Sequence, residues 1–175
     1  MTAYVLAAAV VPGSATPPPG IDAAAYRAAL LSDAYDVLDD LANVTAYVLD
    51  LPDLHAVLGA LAETGATIGA VTAGDAPDLP GLLVGKLFGA CEDRLAGVLP
   101  ASDGTLAGFA SRLPAPEWTR GLTLDSTLDD VHAAAPANAV VVGPGWHRLR
   151  APADVARLDA RLDGWYATRA LLSRP

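Results

Sequence analysis

Three short apolar runs, Tyr4 to Val11, Val44 to Leu49 and Thr67 to Ala73, are each followed by a stretch whose apolar residues recur every three or four positions. That alternation constrains the fold more than any other feature. A continuous apolar run suits a strand covered on both faces, and a helix between successive strands returns the next one parallel to the last. The chain therefore reads as α/β, with a mostly parallel central sheet and helices on both faces.

The first unit is strand, loop and helix. Pro12-Gly13-Ser14-Ala15-Thr16-Pro17-Pro18-Pro19-Gly20 has to be a loop, because three consecutive prolines offer no amide to a helix or a ladder. Asp22 is the expected N-cap, with Tyr26, Leu30, Ala34, Val37 and Leu41 as the inward stripe of the helix. In the second unit Pro52 suits a first helical turn, Leu54, Val57, Leu58 and Leu61 the buried face, and Gly65 the left-handed stop. A third helix turns Leu83, Leu87, Phe88 and Cys91 inward, and Leu95 to Leu99 follows as a fourth strand.

Beyond that point the pattern loosens. Ser102 to Thr105 reads as a turn, Leu106 to Ala110 as a short extended piece, and Pro114 to Trp118 as the start of a helical turn. Ser126-Thr127-Leu128-Asp129 resembles a capping box with Asp in place of Glu, so a short helix should run to Ala135. Ala139 to Val142 is a strand and Trp146 to Leu149 another extended piece. Pro152 should open a last helix whose stripe is Val155, Leu158, Leu162, Trp165 or Tyr166, and Leu171 or Leu172.

Composition excludes several classes of function. The 175 residues suit a single domain over residues 1–175, and a formal net charge of −9 without any basic cluster excludes a nucleic-acid partner. Cys91 is alone, so neither an internal disulfide nor a multi-cysteine metal site is expected. The apolar opening from Met1 to Val11 has no basic leader and breaks at Pro12, too short to span a bilayer, so a cytoplasmic protein without membrane contact is expected. Abundant Ala, Gly, Pro, Asp and Arg with one lysine suggest a GC-rich bacterial genome.

The best site candidate is Ile68 to Pro80, an apolar strand ending in Gly74-Asp75 before a Pro-Asp-Leu-Pro turn. In open α/β sheets ligands sit just beyond the carboxyl ends of strands. There Asp75 reads as a metal or ribose contact or as a turn residue, while Asp78 reads as the cap of the next helix. Asp103-Gly104 is either a ligand approach or a plain turn. Arg148 and Arg150 alternate along an extended segment and so share a side. Facing the pocket, they would grip a phosphate or carboxylate as fixed positive charge; facing solvent, the favoured orientation, they only offset the acidic surface. Glu117 and Asp125 have acid–base character but no evident partner. His55, His132 and His147 lack metal-ligand spacing, and no serine elbow or P-loop occurs. Trp118, Trp146 and Trp165 read as core or interface, with Trp146 the one placed to line a mouth.

Taken together, these landmarks resemble the GT-A-type nucleotide-diphospho-sugar transferase superfamily, above all its small bacterial glycosyltransferase-like branch related to the 2-phospholactate guanylyltransferases. Pro12-Gly13 stands where that branch leaves its first strand, and Gly74-Asp75-Ala76-Pro77-Asp78-Leu79 matches its Gly-Asp-x-Pro-x-Leu motif. Pro100-Ala101-Ser102-Asp103-Gly104 matches its Pro-x-x-Asp-Gly segment, and Arg148-Leu149-Arg150-Ala151-Pro152-Ala153-Asp154-Val155 occupies the place of the motif before the last helix. The resemblance implies a nucleotide or nucleotide-sugar ligand, Asp75 as ligand to Mg²⁺ or Mn²⁺, and Gly13, Gly74, Asp75, Asp103, Gly104, Arg148 and Arg150 as binding residues.

The departures carry as much information. The first loop has no Lys or Arg, and Arg148 and Arg150 replace two aspartates, one of which joins the first aspartate on the metal in that branch. The helical segment that the branch has before its Gly-Asp strand is also missing. The expected function is therefore a divergent glycosyl- or nucleotidyltransferase-like protein with impaired or altered nucleotide and metal binding. The alternatives are a non-catalytic binding or scaffold protein, as a homodimer, that keeps the fold, and a metal-free enzyme whose two arginines hold an anion.

Overall fold

The computed structural model describes residues 3–175; Met1 and Thr2, the start of the apolar opening, lie outside the described residues. Six strands form one mixed sheet in the order β2-β1-β3-β5-β4-β6, where β1 is Leu6–Val11, β2 Val44–Val48, β3 Ile68–Ala73, β4 Ala96–Pro100, β5 Leu106–Arg112 and β6 Val140–Val142. β1 pairs parallel with β2 and β3, and β4 pairs parallel with β6. Only β5 runs against its neighbours β3 and β4. The α/β reading with a mostly parallel sheet is therefore what the chain folds into, with one reversed strand at its centre.

Helices α1 (Ala23–Asp39), α2 (Leu54–Glu63) and α3 (Gly81–Asp93) follow β1, β2 and β3. Strand pairing shows which face each takes. Gly69, opposite Ser111, meets Leu58 and Leu61 of α2, whereas Gly108, opposite Thr72, meets Leu87 of α3. Residues 69 and 72 have opposite parity on β3, so α2 and α3 cover opposite faces. The α1 helix packs on β1 and β2 and touches α3. β3 is buried at all six positions, as a strand roofed on both sides must be.

Local rules explain most of the boundaries. Asp22 caps α1 by accepting the Ala25 amide at 2.9 Å, as expected. The inward stripe of α1 uses Leu38 rather than Val37 and includes Asp33, which is almost wholly buried. The α2 face is the expected Leu54, Val57, Leu58 and Leu61, but its cap is Asp53, not a helical turn beginning at Pro52. Cys91 is buried and free in the core, and burial pushes its thiol up to about 12.

Three expectations need correction. The short extended piece at Leu106–Ala110 is in fact β5, a seven-residue strand in mid-sheet. The capping box of α4 (Leu128–Ala134) is Thr127 with Asp130, one residue later than expected. The last helix is not continuous: a 3₁₀ turn at Pro152–Arg157 is followed by a break, and only Tyr166–Leu172 forms helix α5. The Gly164 turn at positive φ falls inside the presumed stripe and interrupts it. The buried Asp33 holds α5 in place by accepting the Ala167 and Thr168 amides at 3.0 and 2.7 Å. Among the described residues no helix is long and apolar enough to cross a membrane.

Candidate functional site

The sheet brings the carboxyl ends of β1 and β3 together, and both candidate glycines are needed there. The Gly74 amide donates to the Val11 carbonyl at 2.7 Å, and a Cβ on Gly74 would stand 2.6 Å from that same oxygen. A Cβ on Gly13 would stand 2.6 Å from Asp75 Oδ2. The bare backbone of Gly13 thus lies directly over the Asp75 carboxylate. Strand order changes direction across β1, with β2 on one side and β3 on the other, which is the place where open sheets leave a crevice. A cleft of about 400 Å³ opens there, lined by Pro12, Gly13, Asp53, Leu54, Asp125 and Arg148 among others.

Arg148 on the cleft lining belongs to an ion pair buried beneath it. Arg148 Nε and Nη2 donate to Asp75 Oδ1 and Oδ2 at 2.7 and 3.0 Å, a two-pronged clamp between side chains only 5% and 1% exposed. Arg148 Nη1 then reaches the Leu124 carbonyl (3.0 Å), the Leu106 carbonyl (3.4 Å), Thr105 Oγ1 (3.1 Å) and Asp125 Oδ1 (3.0 Å). Burial works against the guanidinium charge, but the hydrogen bond and charge of Asp75, helped by Asp125, outweigh it and raise the arginine's pKa above its ordinary value. Arg150 Nη1 donates to the same Asp125 oxygen at 2.6 Å and lies 3.9 Å from Asp103.

The alternation argument is correct: Arg148 and Arg150 point to one side. Arg148 is buried in the protein, not turned to the solvent favoured from sequence, whereas Arg150 keeps about a third of its side chain exposed and pairs with the exposed Asp125. The segment carrying them is stitched down on both flanks: Leu149 donates its amide to the Asp75 carbonyl at 2.8 Å, and the Arg150 carbonyl accepts the Thr16 amide at 2.9 Å. The proline-rich loop is in turn fixed to α1 by Arg27, whose Nε donates to the Ala15 carbonyl at 3.0 Å. The positive charge absent from this loop in the sequence is supplied from the far end of the chain.

Other expected residues divide cleanly. Asp103 accepts the Thr105 amide and hydroxyl at 3.0 and 2.6 Å, a turn role; burial pushes its carboxyl up, but these bonds and the two arginines outweigh that and hold it below the usual range. Gly104 has φ +90° and open space around it, so it serves the turn. Asp78 does not cap α3, which begins after Pro80 without a side-chain cap. Its buried carboxylate instead accepts Trp146 Nε1 at 3.2 Å and contacts His147 Nε2 at 2.8 Å. Trp146 stacks on His147 and so packs against the domain instead of lining the cleft. Glu117 pairs with Arg120 at the surface, away from the cleft. His55 contacts Pro116, Thr119 and Arg120 and has no histidine neighbour among its polar contacts.

Two cleft residues were missed or undervalued in the sequence. Asp53 caps α2 through Ala56 (2.8 Å) and also accepts the Gly121 amide (2.8 Å), tying the cleft wall to the segment that carries Asp125. An Asp after Pro at a helix start was the available signal. Asp125 is the shared acceptor of both arginines, a role no local pattern announces.

The divalent ion implied by the resemblance does not fit these residues. Both Asp75 oxygens already accept N–H groups, and among the described residues no cluster of three or more His, Cys, Asp or Glu side chains could hold a metal.

No family model matches the chain, and no curated protein matches it. Solved structures do. A protein of Desulfovibrio desulfuricans G20 assigned to the nucleotide-diphospho-sugar transferases superposes with a TM-score of 0.67 at 15% identity, over 97% of this chain and 94% of that one. The protein Rv0371c of Mycobacterium tuberculosis H37Rv superposes with a TM-score of 0.51 at 17% identity, over 99% and 100%. Its manganese complex reaches only 0.49 at 18% identity, too loose a likeness to bear on the site. The chain thus has the fold of nucleotide-diphospho-sugar transferase-like proteins.

Proposed function

We propose that this chain is a divergent glycosyl- or nucleotidyltransferase-like protein, of the branch related to the 2-phospholactate guanylyltransferases, whose binding of nucleotide and metal has been altered. One observation carries the reading: the chain has a ligand-sized cleft at its switch point, but the arginines beside it are committed to the protein's own carboxylates. Three carboxylates, Asp50, Asp53 and Asp125, line the cleft against one guanidinium, Arg148, whose charge the buried Asp75 already offsets, so the cleft repels a polyphosphate instead of neutralising it. Gly13 and Arg148 line it, Asp75 lies buried beneath them, Gly74 packs against Val11 and Pro12, and Arg150 links Asp125 to Asp103 beside it. In this reading residues 1–175 are one domain acting in the cytoplasm.

The test is a ligand series followed by amide chemical shifts and melting temperature. At about 1 mM, a nucleoside triphosphate with Mg²⁺ should raise the melting temperature by less than about 1 °C. A nucleoside or a free sugar should move the amides of Gly13, Asp53 and Asp125. Stabilisation of several degrees by sub-millimolar nucleotide would overturn the altered-binding reading. The same internal pairing supports a second reading, a non-catalytic binding protein that keeps the fold. Silence of the cleft to every ligand would favour it, and a homodimer in light scattering would support the scaffold form.

A further inference from the structure

We infer that Arg148 is a built-in substitute for a divalent cation at Asp75, so that the cleft takes its ligand without a metal ion. The inference deepens the reading above and rests on the cleft being the ligand site. Six oxygens face the guanidinium: both of Asp75, one of Asp125, the carbonyls of Leu106 and Leu124, and the Thr105 hydroxyl. Carboxylates, carbonyls and a hydroxyl in that number are the donor chemistry that a hard divalent cation takes. Here they come from five residues in three separate places in the chain, and a covalently attached cation satisfies them.

The attachment is itself braced. Leu149 is hydrogen-bonded to the Asp75 backbone, and Trp146 and His147 grip the buried Asp78 on the same turn, so residues 146–149 are held against the β3–α3 connection at several points. By count, one of the five guanidinium N–H groups, on Nη2, has no acceptor among the described residues, since Nη2 bonds only Asp75 Oδ2. A ligand in the cleft can therefore meet at most a single charged donor of Arg148, not the two-pronged fork that a free arginine offers a phosphate.

Manganese is the probe. MnCl2 added to the wild-type protein at millimolar concentration should leave the amide signals of Gly13, Asp75 and Leu149 without paramagnetic broadening. In Arg148→Ala the oxygen cage loses its cation, and Mn²⁺ should bind there at least about 10-fold more tightly than to the wild type, with a rise in melting temperature. Guanidinium ion at low millimolar concentration should stabilise the same variant. The inference is overturned if Mn²⁺ broadens those amides in the wild-type protein, or if folded Arg148→Ala gains no Mn²⁺ affinity. Should the variant not fold, the wild-type broadening decides alone. These readouts involve no organic ligand, so they stand apart from failure of the cleft reading.

Discussion

Splitting the Asp75–Arg148 pair should destabilise the protein far more than removing it whole. Asp75→Asn leaves a buried guanidinium with only the exposed Asp125 as counter-charge, and breaking a buried pair in this way costs about 3 kcal/mol or somewhat more. Arg148→Met should cost about 4–5 kcal/mol, because it strands Asp75 and also leaves the Leu106 and Leu124 carbonyls short of a donor. Independent effects would sum to about 7–8 kcal/mol in the double variant Asp75→Leu/Arg148→Met. The expected cost is instead about 2–3 kcal/mol, since no charge is left buried and only the carbonyls remain under-satisfied. Urea unfolding of the four proteins measures the cycle, and for a chain of this length each kcal/mol corresponds to about 2–4 °C in melting temperature. A double variant equal to the sum of the singles within about 0.5 kcal/mol would refute the argument that the two side chains act as one unit.

Asp53→Ala removes the α2 cap and the tie to Gly121, and urea unfolding should show a loss of about 1–2 kcal/mol. Burial raises the Asp53 carboxyl, but the Gly121 and Ala56 amides outweigh it and hold its pKa below the ordinary value. Its contribution is therefore complete above about pH 4 and is lost as pH falls through the lower folded value, so acid unfolding of Asp53→Ala should be shallower than that of the wild type. Asp33→Ala should release α5, because two amides lose their acceptor; faster proteolytic cleavage near residues 165–172 and a loss of about 2 kcal/mol are expected. Gly13→Ala places a methyl group against Asp75 and should cost about 1–3 kcal/mol in thermal unfolding while shifting the Arg148 side-chain signals.

Much of the first half of the fold was legible in the sequence because each element there obeys a local rule. An apolar run, a cap, a 3.6-residue stripe and a glycine stop can all be read within about 15 residues. β5 was not legible as a central strand. Leu106-Ala107-Gly108-Phe109-Ala110 is short and follows an Asp-Gly turn, and its place in mid-sheet comes from pairing with β3, more than 30 positions away in the chain. Asp78 misled for a related reason: an acidic residue two positions before a proline-led helix looks like a cap, and only His147 and Trp146 reveal its partners.

The sequence by itself determined the alternation of strands and helices, the position of Gly74-Asp75 at a strand end, and the shared side of Arg148 and Arg150, since backbone periodicity fixes all three. Only the tertiary structure decided that Arg148 turns inward, that Asp75 and Arg148 close on each other across 73 positions of chain, and that Asp125 serves both arginines. Charge in a sequence carries a sign but no address. Burial and partner geometry supply the address, and they exist only once distant segments have packed.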